Sequence, residues 1–151
     1  MSARLLPVLL LLLVAAPVSA QTATRIDVDA ALIAGLERQP VNATLHGNAV
    51  ACEGVPLIAV LRSREVMSDK PLHGAMLAQG VRAVARDGYR VAFSLAELDP
   101  TLGGTRAFVV DRCNGTPLDK DDGPIRLLVP DVQRGARSVR QLQSLEVTGA
   151  P

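Results

Sequence analysis

The sequence predicts an α+β domain in which short β-strands alternate with shorter helices. Tight-turn signals separate the strand-like segments: His46-Gly47-Asn48, Asp87-Gly88 and Asn114-Gly115. Two helix starts carry a side chain that can accept a hydrogen bond from the first turn. Asp29 precedes one apolar segment, and Ser94 lies three residues before Glu97, as in a capping box.

The first part of the chain contains three predicted helices and the first hairpin. Asp29 is expected to cap a helix over residues 30–38, which Gln39-Pro40 ends. Strands 41–45 and 49–53 flank the first turn. Two more short helices are expected over residues 56–62 and 72–78, the second ending before a glycine.

The second half contains the strongest hairpin signal, in which Asp87-Gly88 is expected to supply positive φ angles. A short helix then runs from Ser94 to Asp99-Pro100. The remaining expected elements are strands 106–111, 125–129 and 145–147, with a charged surface loop at 119–123. Because residues 125–129 are mainly apolar, we expect them to form a central strand.

The first 20 residues are typical of a secretory signal peptide. Arg4 precedes an apolar run that ends in the small-residue pattern Val18-Ser19-Ala20. The run is too short and too interrupted by proline for a good membrane span. We therefore expect cleavage near Ala20, export to the periplasm or beyond, and a single domain over residues 21–151 that does not span a membrane.

Charge and composition exclude some classes of protein. The leader holds one of the 16 basic residues, so the rest of the chain has 15 basic and 15 acidic residues. This balance argues against a nucleic-acid partner. Arginine makes up 14 of the basic residues, which points to a GC-rich bacterial genome. The aromatic residues are Tyr89, Phe93 and Phe108 alone, so Val, Leu, Ile and Ala must build the core.

The two cysteines, Cys52 and Cys113, admit three interpretations. An even number of cysteines in an exported protein favours a disulfide. Such a bond would close a loop of about 60 residues and stabilise the fold by about 4 kcal/mol. The alternatives are two separate buried thiols, or a reactive thiolate at Cys113 beside Arg112.

Four segments in order resemble one known family: GVPLIAVL, DGYRVAFSLAEL, NGTPLDKDDGPIRLLVP and GARSVRQLQSLEV. The chain is similar over residues 41–148 to the oxidoreductase molybdopterin-binding domain, the catalytic fold of sulfite oxidase and its bacterial relatives. The resemblance implies a sulfite oxidase-like fold and, in active members, a molybdopterin-type molybdenum cofactor. In those enzymes a cysteine thiolate binds the metal, and a basic segment near the end of the domain holds the pterin phosphate.

The chain departs from the enzymes at the metal-binding cysteine. Residues 45–48, which include His46, hold the place where the enzymes carry that cysteine, and Cys52 lies elsewhere. We therefore expect no protein metal ligand and no bound cofactor. The expected function is a binding or accessory module for a small anionic ligand or a periplasmic protein partner. The alternative is a molybdenum-cofactor-dependent oxidoreductase of the sulfite oxidase type, with His46 near the metal.

The basic segment places Arg134, Arg137 and Arg140 at intervals of three, with Ser138 among them. Guanidinium groups and a hydroxyl suit a phosphate or carboxylate. The resemblance implies that this segment contacts the pterin phosphate. The alternative is a solvated basic edge that pairs with the acidic loop 119–123.

The second hairpin contributes two further candidates. Asp87 and Tyr89 have a sufficient structural role, since Asp-Gly makes the turn and the tyrosine packs on the sheet. The resemblance adds that the family's Asp-Gly-Tyr lies beside the cofactor pocket. Together with His46 and the basic segment, these residues form the predicted cofactor-binding set.

Overall fold

The computed structural model describes residues 24–132 and 134–149, so the predicted leader, residues 1–20, lies outside the described residues. The elements within this part of the chain are β1 (Arg25–Asp27), α1 (Ala30–Ala34), β2 (Gln39–Leu45), β3 (Asn48–Pro56), α2 (Leu57–Ser63), β4 (Gly80–Ala85), β5 (Arg90–Ser94), α3 (Leu95–Leu98), β6 (Phe108–Cys113), β7 (Thr116–Pro117), β8 (Arg126–Leu128) and β9 (Leu142–Thr148). Single 3-10 turns cover Gly74–Ala78 and Gly135–Arg137.

The strands form two sheets. One has the order β1-β9-β4-β5. The other has the order β2-β3-β6-β7, and β8 pairs with β6. Every ladder among the described strands is antiparallel. The predicted α+β class with short helices is confirmed, although strands predominate over helices.

Two hairpin turns have the positive backbone φ angles that are typical of their residue types. His46 and Gly47 have φ angles of 50° and 82°, and they join the facing pair Leu45 and Asn48. Asn114 and Gly115 have φ angles of 51° and 77°. Two successive positive φ angles match the right-handed twist of the strands they connect, and Asn and Gly adopt them at low cost.

The turn between β4 and β5 differs from its prediction. Gly88 has a φ of 88°, but Asp87 is not in the positive-φ region. The Asp87 carboxylate instead accepts a hydrogen bond from Tyr89 N at 2.9 Å. The turn is closed by Ala85 N, which donates to Tyr89 O at 2.9 Å. The connection is therefore longer than the two-residue turn predicted: it covers residues 86–88, and Gly88 N donates to Ala85 O at 3.1 Å.

The two capped helices begin where predicted, and the first of them ends early, whereas the helix predicted over residues 72–78 is a 3-10 turn from Gly74 to Ala78. Asp29 Oδ1 accepts from Leu32 N at 2.8 Å, and Ser94 Oγ accepts from Glu97 N at 3.0 Å. The first helix ends at Ala34 rather than Arg38, because the next residue, Gly35, is a poor helix former and serves as the C-cap. No helix in the ranges that the structure describes is long and apolar enough to cross a membrane.

The two faces of the five-stranded sheet contact different cores. Val109 and Leu127 belong to the main core, to which strands of both sheets and α2 contribute. Their neighbours Val110 and Leu128 point the other way, as strand alternation requires, and pack in a smaller second core with Cys52. Leu45, near the end of β2, covers part of this second core.

Asp99 ties the loop after α3 to the segment before the first 3-10 turn. It is 3% exposed, and its carboxylate accepts from Thr101 Oγ1 at 2.6 Å, from Thr101 N at 2.7 Å and from Leu72 N at 2.8 Å. The Thr101 hydroxyl, followed by the two backbone amides, lowers the pKa of Asp99 below its usual value.

This lowered pKa makes part of the stability dependent on pH. The unfolded chain has an aspartate pKa of about 3.9, so the ionised carboxylate stabilises the fold above that pH, and the contribution disappears as the pH falls through the folded value. We expect Asp99→Asn to lower the melting temperature at pH 6 and to flatten its fall between pH 5 and 2. Thr101→Val should give an intermediate profile. Parallel acid melting curves for Asp99→Asn and the wild type would contradict this role.

Candidate functional site

A cleft of about 620 Å³ opens where the turns of two hairpins meet the segment after β8. Its volume lies in the range of small-molecule sites. The lining residues are Thr44, Leu45, His46, Gly47, Ala85, Asp87, Tyr89, Arg126, Val132, Gly135, Ala136, Ser138 and Arg140. The cleft is thus built from parts of the chain that are far apart in sequence.

The structure brings five of the seven predicted site residues together in this cleft: His46, Asp87, Tyr89, Ser138 and Arg140. Each comes from a turn or from the segment after β8, where backbone is not committed to a sheet ladder. Side chains at such positions are held in place by the rigid strands beside them.

Arg137 and Arg134 are not among the lining residues. The Arg137 guanidinium lies 4.5 Å from the ring centroid of Phe93, and its Nη2 donates to Glu97 Oε1 at 2.6 Å and to Ala92 O at 3.3 Å. Arg137 therefore attaches the basic segment to β5 and α3. Within the described residues none of the three predicted arginines pairs with the acidic loop 119–123, as the alternative interpretation required.

Arg126 is the lining residue that sequence reasoning missed. It is 4% exposed, and its Nη1 lies 2.7 Å from Asp122 Oδ2. Among the described residues neither its Nε nor its Nη1 has a hydrogen-bond partner, so the contact with Asp122 is an ion pair only. Burial lowers the pKa of Arg126, an effect that Asp122 opposes and Arg140 adds to. The group remains a cation, because arginine stays protonated in proteins.

The missed signal was a charged residue inside an apolar strand. Segment 125–129 was predicted as a central strand, but β8 covers only Arg126–Leu128. It pairs with β6 on one side and makes a single bridge, Leu127 to Val139, on the other. An arginine is rarely buried without a partner charge, so Arg126 should have been a site candidate.

Ser138 and Arg140 complete the polar end of the cleft. Ser138 Oγ accepts from Val129 N at 3.0 Å, which leaves its hydroxyl proton available to a ligand. Arg140 is exposed and close enough to lower the pKa of Arg126. Two mutually repelling guanidinium groups and a hydroxyl donor together favour a bound anion.

Tyr89 and Asp87 form another side of the cleft. Tyr89 is 46% exposed, and its hydroxyl donates to Ala136 O at 2.6 Å. This bond ties the second hairpin to the segment that contains Ser138 and fixes the position of the aromatic ring. Asp87 places a carboxylate, an acceptor for N–H groups, on the same hairpin.

The predicted disulfide between Cys52 and Cys113 is confirmed. The two residues face each other across β3 and β6, and neither lines the cleft. Because these are the only cysteines, the chain has no free thiol to offer a metal. In the part of the chain that the structure describes, no cluster of three or more His, Cys, Asp or Glu side chains could hold a metal ion.

The protein is an antiparallel two-sheet domain whose cleft is lined by two arginines, a serine, a tyrosine and a histidine. Residues 23–151 match the family described as the oxidoreductase molybdopterin binding domain, so the chain belongs to that family. No curated protein matches it.

The cleft suits one part of the family's cofactor better than the other. Arg126, Arg140 and the Ser138 hydroxyl line the cleft, and guanidinium and hydroxyl groups are donors that suit a phosphate. A protein thiolate for the metal is absent from the donor set, since both sulfurs are bonded to each other. The residues fit a phosphorylated pterin and do not fit molybdenum held through cysteine.

Proposed function

We propose that the chain is a small exported binding module with a sulfite oxidase-like fold, which takes a phosphorylated pterin or a similar organic anion without a protein–metal bond. Such a module would act as an accessory protein in the periplasm and would release or present its ligand to a protein partner. Family membership supports the class of ligand, and the chemistry of the cleft supports the absence of a metal–cysteine bond.

The observation that carries this proposal is the buried guanidinium of Arg126. Burying a charge is costly unless its hydrogen bonds are satisfied, and Arg126 has one carboxylate at ion-pair distance while its Nε and Nη1 lack hydrogen-bond partners. A phosphate in the cleft would offer acceptors and a compensating negative charge to Arg126, Arg140 and Ser138. A charge-assisted hydrogen bond of this kind contributes about 1.5–3 kcal/mol.

The remaining walls suit the heterocycle of such a ligand. Tyr89 presents a fixed aromatic ring on which a flat ring can stack, an interaction of about 1–3 kcal/mol for nucleobases. The Asp87 carboxylate can accept hydrogen bonds from ring or amino N–H groups. Leu45 and Val132 add apolar contacts.

A molybdenum-dependent oxidoreductase is the second candidate. His46 lines the cleft together with the two arginines, so an imidazole is available to a cofactor held by its phosphate and pterin alone. The metal content of the protein separates the two candidates.

Two measurements test the proposal. Protein purified from its native source without reconstitution should contain no molybdenum, and about one molybdenum per chain would favour the oxidoreductase. A metal-free pterin phosphate at 100 times its Kd should raise the melting temperature by roughly 10 °C, since such binding contributes about 2.7 kcal/mol. No shift, and no heat of binding by calorimetry, would refute the module.

Arg137 should affect binding without touching the ligand. Its ion pair with Glu97 is partly exposed and worth about 1 kcal/mol at most, so Arg137→Met should weaken pterin phosphate binding by roughly fivefold or less through displacement of the segment that contains Ser138. Calorimetric titration of each variant measures this effect.

The ion pair between Arg137 and Glu97 can be broken from either side, which provides controls for this prediction. Glu97→Gln breaks the same contact and should reproduce the effect, and the double variant should be no worse than either single variant. Arg134→Met, on the same segment but outside the cleft lining, should bind like the wild type. Additive losses in the double variant would mean that Arg137 and Glu97 act independently.

A further inference from the structure

The outer half of the first hairpin is a flap over the cleft. We define the flap as residues 42–51, which form the end of β2, the His46-Gly47 turn and the start of β3. Its tip, residues 44–47, lines the cleft. The ladder between β3 and β6 starts at Cys52, so the strands of the flap pair only with each other.

Few contacts hold the flap to the rest of the domain. Asn114 N donates to Ala51 O at 2.6 Å, and Ala51 N donates to Asn114 Oδ1 at 3.0 Å. Ala43, Leu45 and Val50 pack on the smaller core and remain only partly buried. Elements with few buried apolar contacts open at low free energy.

The disulfide lies at the base of this flap. Cys52 and Cys113 form the last register pair of β3 and β6 before the flap begins. Immediately inside this pair, the register shifts between Glu53 and Gly54, so the regular ladder is interrupted there. The covalent bond therefore links the flap to the sheet at a place where backbone pairing is irregular.

We propose that the Cys52–Cys113 disulfide is a redox latch that keeps the flap over the cleft, and that its reduction weakens ligand binding. The inference rests on the proposed function, because it concerns regulation of the same cleft. It also gives a role to the two cysteines, which the binding chemistry does not use. When the disulfide is reduced, a smaller fraction of the molecules has the flap in the position that binds the ligand. The apparent Kd rises in inverse proportion to that fraction.

The redox step requires a dithiol, either a thioredoxin-like protein or dithiothreitol. Cys113 is partly exposed and Cys52 is 2% exposed, so the reductant thiolate attacks Cys113 Sγ. The Cys52 sulfur leaves as a thiolate and takes a proton from solvent. The second thiol of the reductant resolves the mixed disulfide, loses its proton and releases Cys113 as a thiol. The protein disulfide is reduced to two thiols, and the dithiol is oxidised to a disulfide.

Calorimetric titration with the metal-free pterin phosphate tests the latch on the full chain. We expect the Kd of the wild type to rise at least about fivefold in dithiothreitol, as it would if a fifth of the molecules stayed competent. Cys52→Ala/Cys113→Ala should have the weaker Kd with or without dithiothreitol. Far-UV circular dichroism checks that each sample is folded.

Amide hydrogen exchange gives a second measurement that needs no ligand. Reduction should speed exchange at Ala51 and Asn114, whose amides join the flap to the turn after β6, by a larger factor than at the β4 amides of Val81 and Ala83, which report the loss of global stability. Equal Kd values in both redox states would overturn the latch. If the oxidised protein does not bind, the proposed function fails, and unchanged exchange at Ala51 and Asn114 would then refute the latch separately.

Discussion

Replacing Arg126 by methionine should weaken binding of the pterin phosphate by about 10-fold to 150-fold, the equivalent of one lost charge-assisted hydrogen bond. The substitution keeps an unbranched side chain in the buried position and removes the guanidinium from the cleft. It also leaves the Asp122 carboxylate without its cation. Because breaking a buried ion pair is costly, the free energy of unfolding should fall by about 3 kcal/mol.

Asp122→Asn is the matched control for this variant. It breaks the same ion pair and should cost comparable stability, but it increases the positive charge that faces the ligand. We therefore expect the two variants to have opposite effects on affinity, measured by calorimetry at low salt. Arg126→Met weakens binding, and Asp122→Asn preserves or strengthens it. Equal losses in both would mean that the pair only supports the fold.

Removing the disulfide should have the largest effect on global stability. Cys52 and Cys113 are separated by 61 positions, and closing a loop of this length restricts the unfolded chain by about 4 kcal/mol in the chain-entropy model. Total stabilities of small domains are about 5–15 kcal/mol, so the reduced protein should be marginal. Urea denaturation of the wild type, with and without dithiothreitol, measures the difference directly.

The double variant Cys52→Ala/Cys113→Ala serves as the control for the reductant. Its denaturation midpoint should lie well below that of the oxidised wild type and should not respond to dithiothreitol. Because Cys52 is buried in the smaller core, alanine there adds a packing loss that the reduced wild type does not have. Coincident urea curves for the oxidised and reduced wild type would contradict the expected contribution.

The local features of the fold were predictable from a few residues each. His46-Gly47 and Asn114-Gly115 form tight turns because these residue types tolerate positive φ angles. Asp29 and Ser94 cap helices because their oxygen atoms reach backbone amides three residues ahead. These interactions lie within a few positions along the chain, so no knowledge of the tertiary structure was needed.

The partners of individual charges were not predictable in the same way. Arg137 was grouped with the other arginines of its segment, but its guanidinium binds Glu97, which is 40 positions earlier in the chain. Arg126 was not predicted as a site residue, because its segment was treated as an apolar strand. It is nevertheless the most deeply buried charge of the cleft. From the sequence, the disulfide was favoured by the even number of cysteines and by the expected export of the protein. The register of β3 with β6, which places Cys52 opposite Cys113, decided that the two residues pair.

By itself, the sequence determined the class of the fold, the places where the chain turns, the family and five of the residues that meet in the cleft. Only the tertiary structure decided which arginine faces the cleft and which braces it, and where the covalent link lies relative to the flap. The physical reason is how far apart along the chain the interacting residues lie. Turn and cap energies act between neighbours, whereas burial and pairing depend on which strands the two sheets bring together.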